Sequence, residues 1–210
     1  MSHVSMYSAL IPIFLGIFIL KNREKYLIFI FILAVVSFLS DVMSLNHPNY
    51  RNIVLPVYRY TQLFLILSAY NFLFKNVYQR TIIFLLGGLL IYAVLYYAYL
   101  ENLARTFPSI RTLSSFVFLL TSLFYFYYLH KNLLAKNLLL FPPFWLNVGV
   151  LIYFAGNIFL NVAINIFTMH KVYVIYMIVH SSLNILKNLL FATSFFIAIK
   201  YSKRITYNGI

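Results

Sequence analysis

Long apolar runs separated by short polar breaks organise this chain from one end to the other. Each run is long enough to be a membrane-crossing helix, for which about 20 apolar residues suffice. Seven helices are expected, over about 4–20, 27–45, 53–74, 81–100, 111–130, 144–168 and 173–199; a count of six or eight would require ignoring the polar breaks. Those breaks, "KNREKY", "NHPNYRN", "KNVYQR", "ENLARTFPSI", "KNLLAKNLLLFPP" and "MHKV", are too short to hold a folded domain. The expectation is therefore one all-α domain over residues 1–210, a polytopic bundle of seven transmembrane helices. The opening "MSHVSMYSALIPIFLGIFIL" has no Lys or Arg ahead of its apolar stretch, so it reads as a first permanent span rather than a cleavable signal.

Composition agrees with that solvent. The chain is 63% hydrophobic and 9% charged, whereas a soluble domain is nearer half apolar and a quarter charged. A net charge of +13 raises the question of nucleic acid. The basic residues stand singly or in small groups between apolar runs, with no basic domain, so membrane lipids are the expected partner and nucleic acid is not. Their distribution sets orientation. Ten Lys and Arg fall in the first, third and fifth breaks and the tail, against four on the other side (Arg51, Arg105, Arg111 and Lys171), which puts the N-terminus outside and the C-terminus in the cytoplasm. Tyr96, Tyr97, Tyr99, Tyr125, Tyr127, Tyr128 and Trp145 lie at span ends, where amphipathic rings form an interfacial belt. Cysteine is absent, which removes disulfides, thiolate metal sites and cysteine nucleophiles.

Of the Lys, Arg, Asp and Glu residues, three lie inside spans away from the polar breaks: Asp41, Arg59 and Lys187. Charge in hydrocarbon costs a few kcal/mol at the centre of a span, so such groups face a partner, a cavity or a ligand. Asp41 and Arg59 both fall toward the outer ends of their helices, where a clasp between adjacent helices is reasonable and Arg59 can also snorkel to headgroups. Lys187 is deeper, roughly 20 Å along its helix at 1.5 Å per residue. Its amine must be neutral, paired, bound to an anion or covalently modified.

Polar stripes run beside it. His180, Asn184, Lys187 and Asn188 share one face of the last span at spacings of three and four, flanked by Ser181. Tyr153, Asn157, Asn161 and Asn165 repeat every four residues on the sixth. Ser37, Ser40, Asp41 and Ser44 mark the second, and Tyr58, Arg59 and Gln62 the third. Amides do not face acyl chains without partners, so the stripes point inward. They are either dry interhelical glue or the lining of a wet, ligand-holding cavity. An alignment of "SFLSDVMS" in the second span with "YFAGNIFL" in the sixth puts Asp41 on Asn157, and suggests two parallel triplets joined by a fourth helix in which Gly87 and Gly88 permit close packing. Sites in repeat-built membrane folds tend to lie between the halves.

The segments "FPPFWLNVGVLIYFAGNIFL" and "SSLNILKNLLFATSF" resemble a group of uncharacterised seven-helix membrane proteins of Bacteroidota. That resemblance implies a bacterial plasma-membrane location and no particular activity. "PVYRYTQLFL" resembles the third helix of microbial rhodopsins, with Lys187 at the place of the lysine that binds retinal. The pattern departs where it matters: the counterion position is Gln62, the acid before the lysine is replaced by Leu183, and the ring-sandwiching tryptophans are missing.

No metal constellation, carboxylate pair, HExxH or phosphate loop is present, so no catalytic site is expected. The expectation is a small polar or anionic solute held by Lys187, Asn184, His180, Asn188, Asn157, Asn161, Tyr153, Gln62, Arg59 and Asp41, for transport. The alternative is a membrane receptor that signals through a separate protein.

Overall fold

The computed structural model describes residues 2–20, 24–76, 80–81, 87–88, 103–132, 137–166 and 170–205. Regular structure among the described residues is helical throughout, as the apolar runs require: α1 (Ser2–Ser8), α2 (Leu10–Ile19), α3 (Lys25–Asn46), α4 (Arg51–Leu73), α5 (Leu103–Asn132), α6 (Pro142–Ile166) and α7 (His170–Ile205). Five of these, α3 to α7, contain stretches long and apolar enough to cross a membrane, and α1 with α2 supplies a shorter apolar stretch. The expected span over 81–100, with Tyr96, Tyr97 and Tyr99, lies outside the described residues except for positions 81, 87 and 88.

Boundaries differ from expectation in three places, each for a local reason. The first run is not one helix: it breaks at Ala9. Pro12 has no N–H to give the Ser8 carbonyl, and its ring crowds that turn. The backbone N–H of Ala9 turns to the Met6 carbonyl instead, 3.2 Å away, in a tighter three-residue step. The expected loop "ENLARTFPSI" is helical from Leu103 onward, so Arg105 stands on the first turn of α5 rather than in a loop. Leu, Ala and Arg there are strong helix formers. The last helix continues to Ile205, 36 residues in all. By contrast, α6 opens on Pro142 and Pro143, where a missing N–H does no harm.

Hydrogen bonds and ring contacts give the helix directions. Ser37 meets Tyr58 while Phe29 stacks on Phe72, so α3 and α4 are antiparallel. Asn157 meets His180 while the Pro142 carbonyl meets Ser194, so α6 and α7 are antiparallel. Ser122 pairs with Asn147 and Phe118 with Phe154, which makes α5 antiparallel to α6. Tyr70 reaches Asn147 while Tyr58 approaches Tyr153 across a shared cavity, so α4 also opposes α6. Ser5 pairs with Asn184 and Ser8 with Asn188, so α1 runs parallel to α7. Gly156 lets α6 and α7 come close: an added Cβ would collide with the Leu183 side chain.

The tyrosine belt needs correction. Tyr127 is 58% exposed, as an interfacial ring should be, but Tyr125 and Tyr128 are 1% and 6% exposed. They pack with Tyr70 and Phe74 in an aromatic cluster whose ring centroids lie 5.1–6.4 Å apart. Helical spacing puts Tyr125 and Tyr128 on the α4-facing side and Tyr127 on the other, so three neighbouring tyrosines have two different fates.

Candidate functional site: a polar cavity among four helices

Where the stripes of α3, α4, α6 and α7 converge, they do not close. A cavity of about 70 Å³ remains, lined by Ser37 and Asp41 from α3, Leu55, Tyr58 and Arg59 from α4, Tyr153 from α6, and His180 and Asn184 from α7. That is room for a handful of water molecules, and well below the roughly 300 Å³ at which pockets for larger organic ligands begin.

The α4 wall is a hydrogen-bonded chain. Arg59 Nη1 donates to Gln62 Oε1 at 3.0 Å, Gln62 Nε2 donates to the Tyr58 hydroxyl at 3.3 Å, and Tyr58 donates to Ser37 Oγ at 3.2 Å. The chain has a direction. Gln62 is consumed as a relay, and the Ser37 hydroxyl proton is left to donate elsewhere, one helical turn from Asp41. Arg59 uses one of its five N–H donors on Gln62, so most of its fork is available on the cavity side.

The α6–α7 wall is set by Asn157. Its amide nitrogen donates to the Tyr153 carbonyl at 2.7 Å, which fixes the amide's orientation and turns Oδ1 to His180 Nδ1 at 2.9 Å. An oxygen there selects the tautomer protonated on Nδ1. The imidazole is clamped by a parallel ring of Tyr176 at 5.7 Å.

Lys187 lies behind this wall. It is 4% exposed and donates to Asn184 Oδ1 at 2.7 Å, with its ammonium 4.5 Å from the centre of the Tyr153 ring. An amide oxygen and an aromatic face replace part of its hydration. Asn184 passes the arrangement on: its amide nitrogen donates to Ser5 Oγ at 2.9 Å. Asn188 donates to Ser8 Oγ at 2.8 Å, and Ser8 donates to the Ser5 carbonyl at 2.6 Å.

Of the ten residues expected to hold a solute, five line the cavity: Asp41, Arg59, Tyr153, His180 and Asn184. Gln62, Asn157 and Lys187 support that lining from behind, through Arg59 and Tyr58, through His180, and through Asn184. Asn188 is turned to α1. Asn161 does not line the cavity, and its amide nitrogen has no hydrogen-bond partner. The expected Asp41–Arg59 clasp does not form: among the described residues no Asp41 carboxylate oxygen lies within 4.0 Å of a guanidinium or ammonium nitrogen. Both groups line the same void instead. Ser5 and Ser8 were not expected. Their signal is three serines at spacing three, Ser2, Ser5 and Ser8, inside an otherwise apolar opening.

Retinal does not fit these residues. The cavity is too small for a long polyene, the Lys187 amine is turned to Asn184 behind the cavity wall, and among the described residues no carboxylate stands within ion-pair distance of it. Among the described residues no cluster of His, Asp and Glu could hold a metal ion. Compared with models of protein families, with curated proteins and with solved structures, the chain finds no match.

Proposed function

We propose that this chain is a seven-span protein of the plasma membrane, a bacterial inner membrane in the Bacteroidota reading, that binds a small polar or anionic solute in the cavity for transport. One observation carries the reading: within an apolar bundle, four helices leave a polar void that a guanidinium and a carboxylate both line without forming an ion pair. A purely structural clasp would have closed that gap.

Helix direction supports the span count. α4 and α5 both oppose α6 and therefore run the same way, and a chain entering α5 in the direction it left α4 needs one return crossing between them. Gly87 lies in that interval, buried, with an added Cβ meeting the Leu67 side chain of α4. Parallel α1 and α7 likewise agree with an odd number of crossings. The N-terminus is then outside and the basic tail cytoplasmic, by the asymmetry of Lys and Arg. The cavity-lining helices are those the suggested repeat pairs, α3 with α6 and α4 with α7.

A receptor is the second reading, favoured by the length of α7. Its 36 residues extend roughly 54 Å at 1.5 Å each, beyond the ~30 Å of hydrocarbon, and would offer a rigid output to a separate signalling protein. Purified protein in proteoliposomes tests both. Solute flux that disappears in Arg59→Gln supports transport, saturable binding without flux supports the receptor, and neither binding nor flux for any small solute removes both.

A further inference from the structure

The cavity's charges do not balance in the ordinary way, and that imbalance has a consequence for what binds there. Arg59 brings a guanidinium to the lining and Asp41 a carboxylate, with no contact within 4.0 Å between them. The groups that face Asp41 can be named element by element. α4 brings Tyr58 and Arg59, α6 brings Tyr153, and α7 brings His180, with Lys187 acting on it from behind Asn184. The titratable residues of α1, His3 and Tyr7, are exposed and α2 has none. Two cations therefore act on a single carboxylate, and the void that Arg59 and Asp41 both line has room for only a few non-hydrogen atoms. The remaining lining suits an anion: Arg59 keeps N–H donors beyond its bond to Gln62, Ser37 keeps its hydroxyl proton, and Tyr153 lines the same void.

We propose that the solute is a small monovalent anion and that its binding is coupled to protonation of Asp41, so that Arg59 has two alternative counterions. Without solute, the Asp41 carboxylate balances Arg59 across the cavity. When the anion enters between them, it takes over that balance, and Asp41 accepts one proton from solution on a carboxylate oxygen. The protonated acid then donates to the anion instead of repelling it. Net charge in the bundle is the same before and after, so the protein need not hold an additional bare charge in low dielectric. Anion and proton enter together, one of each. This deepens the solute-site reading and rests on it.

Linkage fixes the sign. If anion binding takes up a proton, affinity rises as pH falls, by up to tenfold per pH unit, and the reciprocal proton uptake is measurable without any mutation. The experiment uses the full chain in detergent or liposomes, with chloride, nitrate and formate as probes, gluconate as an oversized anion and glycerol as a neutral control. Addition of a small anion to weakly buffered protein is expected to raise the pH by about one proton per anion bound, and affinity should be at least tenfold tighter at pH 6 than at pH 8. Asp41→Asn should bind at pH 8 as tightly as the native chain does at pH 6, with a flat profile. Arg59→Gln should lose binding at both. In liposomes, uptake should follow an imposed proton gradient and ignore an imposed potential. Anion binding without proton uptake, or an unaltered pH profile in Asp41→Asn, overturns the coupling. Binding of glycerol and of no anion overturns the anion while leaving the solute site standing. Binding of nothing removes both.

Discussion

Two buried polar clusters in this bundle use the same residue types and end differently. At the end of α4 away from Arg59, Asn147 of α6 accepts hydrogen bonds from Tyr70 and from Ser122 of α5, the latter at 2.9 Å, and returns one from its amide nitrogen to the Ser122 carbonyl at 3.1 Å. Tyr70, Ser122 and Asn147 are all fully buried. The amide oxygen, the amide nitrogen and both hydroxyls of that knot each make a hydrogen bond, and it contains no ionisable group but a phenol. Three helices are joined there and nothing can enter. The second cluster, around Asp41, Arg59 and His180, also joins helices through amides and hydroxyls but leaves a partly open void with two unlike charges facing it. The difference teaches that polar residues in a membrane bundle are not in themselves a site. Complete satisfaction marks glue, and incomplete satisfaction around charge marks a place for a guest.

The strongest way to test the glue is to cut it. Asn147→Ala strands the buried Tyr70 hydroxyl, leaves Ser122 only its longer bond to the backbone carbonyl of residue 147 and removes the amide bond to the Ser122 carbonyl, a loss of about 2 kcal/mol given the net value of such bonds in bundles. The expected readout is an apparent melting temperature lower by several degrees in detergent, with solute affinity unchanged. A large loss of affinity with unchanged stability would reverse the roles of the two clusters.

At the cavity the same logic gives the opposite signature. Arg59→Gln removes the one cation that lines the void, so solute affinity should fall at least tenfold, about 1.4 kcal/mol or more. Stability should hold or rise, because a half-buried charge without an ion-pair partner is removed. Direct binding and thermal unfolding on the same preparation check both. If melting falls steeply and affinity does not move, Arg59 is structural.

The sequence made the cavity's helices legible but not its surface. Stripes of Asn, Ser and His at spacings of three and four identify which faces turn inward, because only inward faces offer amides a partner. They do not say which partner each amide takes. Asn157 and Asn161 are one turn apart on the same stripe, yet one orients His180 and the other has no partner for its amide nitrogen. Asn147 belongs to no stripe, yet it ties α6 to Tyr70 of α4 and Ser122 of α5; a lone amide near a helix start gives no periodic signal. Asp41 and Arg59 were each visible as costly residues, and their depth along α3 and α4 placed them near each other. That they would share a void rather than a bond depends on how the four helices pack around it, and the spacing of Tyr153 and His180, which complete its lining, carries no such distance.

Lys187 tests whether the void feels charge from beyond its lining. Lys187→Met keeps the stem's volume and removes the ammonium. The apolar replacement should leave stability equal or better by about 1 kcal/mol, while anion affinity falls a few-fold through the lost field. A loss as deep as that of Arg59→Gln would mean that the amine reaches the solute itself, and that Asn184 moves aside when it does.

The smallest effect should come from the seam between α1 and α7, which resembles the knot in chemistry and lies beside the cavity. Ser8 accepts from Asn188 and donates to the Ser5 carbonyl, next to the break at Ala9. Ser8→Ala removes one side-chain acceptor, worth about 0.6 kcal/mol by the average for membrane bundles, so melting should fall by no more than a degree or two. Its informative readout is elsewhere. Because Ser5 still holds Asn184, and Asn184 still holds Lys187, solute affinity should stay within twofold of native. Should this single hydroxyl change affinity or flux severalfold while melting hardly moves, α1 would be part of the solute's path, and the division into a closed cluster and an open one would have to be redrawn with the N-terminal helix on the open side.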